Sequence, residues 1–261
     1  MENVRAVVLR AAGINCDRET VFALESAGAE VKNIHINRFI EDKKLLCEFQ
    51  ILVIPGGFSY GDDVAAGKIL ANQLIHHLME PLKKFINDGK IVLGFCNGFQ
   101  VLVKTGLLPG FENLNGQQDV TITNNDSGKY EDRWVYLEPQ TDRCVCIEPA
   151  RRIYLPVAHA EGKVVTKDNA VLEKLKKDGH VVFKYVDENG NEGPFPVNPN
   201  GSVASIAGLT DTTGRILGLM PHPERFIRPT QHPRWTRRET NADADGMTIF
   251  NNAVSYIKEN L

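Results

Sequence analysis

The sequence has no apolar run near the roughly 18 residues that a membrane-crossing helix requires, so no membrane partner is expected. It has no surplus of one charge. Thirty basic residues stand against thirty-three acidic ones, for a formal net charge of −3. That balance excludes a protein whose main task is to coat nucleic acid or an anionic lipid surface. Cysteine is sparse and odd in number, at positions 16, 47, 96, 144 and 146. A chain of 261 residues needs no covalent staples, so a disulfide framework is not expected. No C-x-x-C pair or histidine cluster has zinc-site spacing, and no metal is expected. Cys144 and Cys146 read instead as small apolar side chains on the buried face of a strand. The Gly56-Gly57 pair lacks the Lys-Ser/Thr that would complete a phosphate-binding loop, so no nucleotide cofactor is expected in this chain. Internal repeats, low-complexity tracts and linkers are also lacking, which favours one domain over residues 1–261. Met1 to Arg10 is charged at Glu2, Arg5 and Arg10, and its apolar run is too short for a secretory leader. The expected location is cytoplasmic.

What is present is ordinary for a globular chain: 42% apolar, 24% charged and 8% aromatic residues, enough to bury a substantial core. In the first half, apolar runs at Val4–Leu9, Glu30–Ile36, Gln50–Ile54 and Lys90–Phe95 read as strands. They alternate with helical stretches at Arg18–Ala27, Val64–Met79 and Pro81–Asn87. Strands of continuous apolar residues separated by helices predict a parallel sheet covered on both faces. The second half is richer in strands: Asp119–Asn124, Arg133–Glu138, Arg152–Val157, His180–Val186, Ser202–Ile206 and Arg215–Met220. Only Asn169–Lys177 and Asp245–Glu259 look helical there. The fold class is therefore α/β, a mostly parallel central sheet flanked by helices with an antiparallel extension.

Three short segments carry chemistry. Gly94-Phe95-Cys96-Asn97-Gly98-Phe99-Gln100 follows a predicted strand and opens a helix. This is the G-x-nucleophile-x-G elbow with cysteine as the nucleophile. Flanking glycines remove clashes around a strained turn, and the helix N-terminus stabilises a thiolate and offers N–H groups to an anion. The same spacing also suits a core cysteine between glycines. Downstream, Pro221-His222-Pro223-Glu224 puts His222 in an extended conformation with Glu224 two residues on. Glu224 is then in a position to fix the tautomer of His222, completing a cysteine–histidine–carboxylate triad. A turn histidine with a solvated glutamate satisfies the same pattern. Pro55-Gly56-Gly57-Phe58 ends a strand with two glycines whose N–H groups suit a developing oxyanion, or simply a tight turn. Gly61-Asp62-Asp63 reads as a turn and N-cap for the helix from Val64.

Together these segments resemble the class I (triad-type) glutamine amidotransferases, which have a flavodoxin-like fold. Within that family the similarity is to the branch of glutaminase subunits of phosphoribosylformylglycinamidine synthase. It is carried by Gly13 to Asp17, Gly56 to Asp63, Gly94 to Gln100, Pro156 to Gly162, Asn198 to Ser202 and Met220 to Arg225, most of the chain. The resemblance implies Cys96 as nucleophile, His222 as general base and acid, and Glu224 as its orienter. It implies an oxyanion hole from the backbone N–H groups of Gly57 and Asn97, and a glutamine site using Phe58, Gln100 and His159. It implies hydrolysis of glutamine to glutamate and ammonia. The ammonia serves a partner synthetase subunit, with a small accessory subunit, that makes formylglycinamidine ribonucleotide in purine biosynthesis. ATP and Mg²⁺ would belong to that partner. Arg10-Ala11-Ala12-Gly13 departs from the aromatic and proline usual before this glycine. The tail after Arg228 is longer than usual, and the stretch from Arg225 to Arg238 holds five arginines and no acid. That stretch suits either docking to an acidic surface or plain solvation. The rival readings are another cysteine hydrolase, such as a peptidase, and a binding subunit that has lost its chemistry. Cys16 has no role in any of them.

Overall fold

The computed structural model describes residues 3–111, 118–237 and 244–261; Arg238 lies outside them. The first half runs β1 (Arg5–Arg10), α1 (Asp17–Ser26), β2 (Glu30–His35), α2 (Ile36–Glu41), β3 (Ile51–Ile54), α3 (Lys68–Gln73), α4 (Met79–Asn87), β4 (Ile91–Phe95) and α5 (Asn97–Lys104). The second half runs β5 (Val120–Thr123), β6 (Glu131–Pro139), β7 (Ile153–His159), β8 (Lys163–Thr166), α6 (Asn169–Lys177), β9 (Val181–Val186), β10 (Ile206–Thr210), β11 (Ile216–Leu219) and α7 (Asp245–Asn260).

Among the described residues, nine strands form one sheet in the order β2-β1-β3-β4-β11-β10-β9-β6-β7. The five from β2 to β11 are parallel, and the rest continue antiparallel. The expected parallel sheet with an antiparallel extension is thus observed. Strands β5 and β8 pair separately. Alternation along β1 shows why the sheet needs two covers. Ala6 and Val8 enter one core, with Leu24 of α1 and Phe250 and Val254 of α7. Val7 and Leu9 enter the other, with Phe39 of α2, Leu70 of α3, Phe85 of α4 and Leu102 of α5. Helix α1 ends as its sequence predicts. Gly28 takes φ +90°, its N–H reaches the Glu25 carbonyl at 3.0 Å, and Ala29 N–H reaches that of Leu24 at 3.1 Å.

Five sequence expectations are corrected. The helix expected from Val64 begins only at Lys68, after left-handed Val64 (φ 73°) and Gly67 (φ 70°). Asp62 does not cap it; its Oδ1 accepts from Gly67 N–H at 3.1 Å and from the Asn97 amide at 2.9 Å. The helix expected from Pro81 starts two residues earlier, at Met79, after non-helical Leu78 (φ −126°). Leu74–Leu78 widens into a π turn that precedes α4, and Pro81 falls in the first turn of α4, where its missing N–H does no harm. The strand expected at Ser202–Ile206 starts instead at Ile206. Asn198 and Asn200 side chains capture the N–H groups of Gly201 and Ser202 at 3.0–3.2 Å, and that competes with a ladder. Cys144 and Cys146 are buried as expected but lie in a turn, not on a strand. Helix α2 and strand β8 had no distinct sequence signal. Among the described residues, no helix is long and apolar enough to cross a membrane.

Candidate active site

The residues of interest cluster at the C-terminal ends of four strands that are neighbours in the sheet, where α/β folds place their ligands. Cys16 follows β1, Gly56-Gly57 follows β3, Cys96 follows β4 and His222 follows β11. Cys96 occupies a left-handed turn (φ 50°, ψ −107°) between β4 and α5. A non-glycine residue there stores about 1–2 kcal/mol. Hydrogen bonds hold it in place: Cys96 N–H to Leu219 C=O at 2.8 Å and Gln100 N–H to Cys96 C=O at 3.1 Å. The glycines on either side are there for space. A Cβ on Gly98 would lie 1.8 Å from the Ile54 carbonyl oxygen, and one on Gly94 would lie 2.5 Å from Leu102 Cδ1. Since Gln100 makes the first intrahelical bond, the Asn97 N–H has no acceptor inside α5. The thiol of Cys96 is buried and points at the Ala158 carbonyl, 3.7 Å away.

His222 is extended (φ −106°, ψ 92°), as the proline after it requires, and its N–H donates to Pro156 C=O at 2.9 Å. Pro223–Arg225 then coils into one 3₁₀ turn, and this turn, rather than strand alternation, brings Glu224 back to the ring. His222 Nδ1 lies 2.5 Å from Glu224 Oε1, with both side chains fully sequestered. Among the described residues, His222 Nε2 and Glu224 Oε2 have no hydrogen-bond partner. Burial opposes a charge on His222, but Glu224 and Cys96 outweigh it and hold its pKa well above the ordinary histidine value. A thiol on a strained turn, beside an imidazole fixed by a buried carboxylate, is the equipment of nucleophilic catalysis.

The surrounding residues support this set. Gly57 (φ 138°) bridges to Ile14, and Gly56 C=O accepts from Cys16 N–H at 3.2 Å. A Cβ on Gly56 would lie 2.8 Å from His222 Cε1, so only glycine fits against the ring. Phe58 is half exposed beside Gly57. The Asn97 side chain accepts from Ser59 N–H at 3.2 Å and donates to Asp62 and to Gln100 Oε1, both at 2.9 Å. Burial raises the Asp62 pKa, and the hydrogen bonds from Gly67 and Asn97 oppose that. Gln100 is buried and donates to Glu161 C=O at 2.5 Å, tying the elbow to the loop after β7. His159 is buried at the end of β7, with Nδ1 3.1 Å from Asn125 Oδ1 and with no partner for Nε2 among the described residues. Burial and the nearby His222 push its pKa down to about 4. Sequence reading missed Asp62, Asn125, Tyr130, Cys16 and Arg225 as parts of this site. Arg225 leaves the basic stretch and turns inward, its Nη2 3.1 Å from Cys16 Sγ, across 209 positions of sequence. No local pattern announces such a pair.

The chain belongs to the CobB/CobQ-like glutamine amidotransferase family, whose model matches residues 3–257. Within that class its relatives are specific. Phosphoribosylformylglycinamidine synthase subunit PurQ of Dehalococcoides mccartyi is 45% identical, over 99% of this chain and all of the relative. The subunit of the same name from Methanococcus maripaludis is 38% identical, over 98% of each chain. Among solved structures, a chain of PurLQS from Thermotoga maritima superposes with a TM-score of 0.73 at 28% identity, covering 98% of this chain and all of that one.

Proposed function

We propose that this chain is one glutaminase domain that hydrolyses glutamine to glutamate and ammonia. The ammonia goes to a synthetase that converts formylglycinamide ribonucleotide to the amidine. The observation that carries the chemistry is the buried His222–Glu224 pair beside Cys96, at the ends of adjacent strands. The identity to PurQ subunits over the whole chain supports the pathway.

His222 takes the Cys96 proton through Nε2, and the sulfur attacks the side-chain carbonyl carbon of glutamine. The oxyanion of the tetrahedral intermediate is received by the N–H groups of Gly57 and Asn97, a contribution of roughly 3–4 kcal/mol per donor. His222 returns the proton to the departing nitrogen, ammonia leaves, and a γ-glutamyl thioester remains on Cys96. Water, deprotonated by His222, attacks the thioester, releasing glutamate and restoring the thiol. Glu224 keeps the Nδ1 proton in place throughout, so Nε2 is the atom that exchanges protons. Phe58, at the mouth beside Gly57, lines the glutamine site. Gln100 and His159 shape it from beneath by holding the 158–162 loop. ATP and Mg²⁺ act on the synthetase, which assembles with this chain and a small accessory subunit. The five unpaired cysteines fit the reducing cytoplasm.

The test is ammonia release from glutamine by the wild-type chain and by Cys96→Ala, with and without the synthetase, the accessory subunit, ATP and formylglycinamide ribonucleotide. The expected outcome is a low basal rate that rises in the full mixture and vanishes in the variant. A rate that needs Cys96 but ignores the mixture assigns the triad to another hydrolase. No rate in the full mixture overturns the proposal.

A further inference from the structure

Cys16 is fully buried at the Nδ1 edge of His222, and the mechanism above does not use it. Its sulfur lies 3.9 Å from His222 Nδ1 and within 4.8 Å of a Glu224 carboxylate oxygen. It also accepts from Arg225 Nη2 at 3.1 Å. The backbone fixes that location, since Cys16 N–H donates to Gly56 C=O at 3.2 Å and Thr20 N–H to Cys16 C=O at 3.2 Å. The consequence lies with Arg225. Its guanidinium sits one residue from Glu224, whose Oε2 is buried and has no hydrogen-bond partner among the described residues. The Glu224 charge acts on the Arg225 guanidinium, and the two attract. A bidentate arginine on Glu224 would compete with His222 for the carboxylate. The sulfur occupies the guanidinium instead. The buried sulfur also fills the space beside the His222 Nδ1 edge, so the Glu224–His222 bond stays unchallenged.

We propose that Cys16 is a positioning residue of the triad: it holds Arg225 away from Glu224, so that Glu224 serves His222 alone. The inference rests on the proposed roles of Cys96, His222 and Glu224, and its test does not depend on glutamine. The groups facing His222 are Glu224 and Arg225 from its own turn, Cys16 ahead of α1, Cys96 on the elbow, His159 at the end of β7 and Tyr130 ahead of β6. Of these, Cys16 and Arg225 are the pair whose separation the variants change.

The experiment is the rate of Cys96 carbamidomethylation by iodoacetamide against pH, read by mass spectrometry on the Cys96 peptide so that exposed Cys47 does not interfere. A thiol is alkylated as its thiolate, which a protonated imidazole beside it favours. In Cys16→Ala, Arg225 turns to Glu224 and His222 binds its proton less tightly. The rate near pH 7 should fall about three- to tenfold, while the rate near pH 10 stays unchanged. Cys16→Ser, whose hydroxyl accepts from Arg225, should keep the wild-type profile. In an Arg225→Ala background, Cys16→Ala should have no further effect on the profile. An unchanged neutral rate in Cys16→Ala overturns the proposal. So does a loss that persists equally in the Arg225→Ala background, or one that is uniform across pH, since each marks Cys16 as packing alone. If these variants behave as expected but glutamine is not hydrolysed, the positioning role stands and the substrate reading fails.

Discussion

At the residue scale, the side chain on which His222 depends is Glu224. It is wholly buried, with one oxygen on His222 and the other without a hydrogen-bond partner among the described residues. A carboxylate in that position depends on the Nδ1–H of His222, because an unpaired buried charge costs several kcal/mol. Glu224→Gln keeps the shape and removes the charge. It should lower kcat for glutamine hydrolysis by about 100-fold or more, with a smaller change in KM, since the tautomer and proton affinity of His222 both depend on it. A variant with wild-type kcat would remove Glu224 from the mechanism. The Cys96 elbow and the extended His222 were legible from sequence, because each geometry is set within a few residues; Glu224 was expected beside His222 by strand alternation, but a 3₁₀ turn brings it there. Asp62 was not legible. Its sequence context fits an N-cap, and only the approach of Asn97 from the next strand's turn gives it a different partner.

At the element scale, the elbow depends on how closely α5 lies on β3. Gly98→Ala brings two opposed effects. Alanine is favoured over glycine in a helix by about 1 kcal/mol. Its Cβ, however, would fall 1.8 Å from the backbone oxygen of Ile54, which cannot rotate away. The clash wins, with an expected loss of about 1–3 kcal/mol in urea unfolding, and the elbow shifts with the helix. A stabilised variant would contradict the packing of α5 described here. Element type was legible wherever apolar periodicity was strong, as in β1, β4 and α7. It failed at Ser202–Ile206, where asparagine side chains redirect the backbone, and at Val64–Gly67, where Val64 and Gly67 take positive φ and no helix can form.

At the scale of the whole molecule, the buried histidines give stability a maximum in pH. His159 has a folded pKa of about 4 against about 6.5 when free. As pH falls from 6.5 toward 4, the unfolded chain takes up a proton that the folded chain refuses, so stability drops. The loss between pH 7 and 5 is about 2 kcal/mol at most. His180 acts in the same direction, through burial. His222 acts in the opposite sense. Its raised folded pKa contributes stability that is fully present below about 6.5 and is lost as pH rises through the folded value. The melting temperature should therefore peak between these ranges. His159→Asn should flatten the acid side, and an unchanged acid slope would mean that His159 is not held neutral.

The sequence alone determined the chemistry and the class of fold. Turn geometry, proline restriction and strand periodicity act over two to five residues, so the elbow, the extended His222 and the alternation of strands and helices can be read directly. The order of strands was decided only in three dimensions. Strand β11, far along the chain, inserts next to β4 because that position buries both its faces, and the insertion carries His222 to Cys96. The same assembly brings Arg225 to Cys16. Contacts of that kind are set by the burial of the whole sheet, a sum over many distant residues that no short segment encodes.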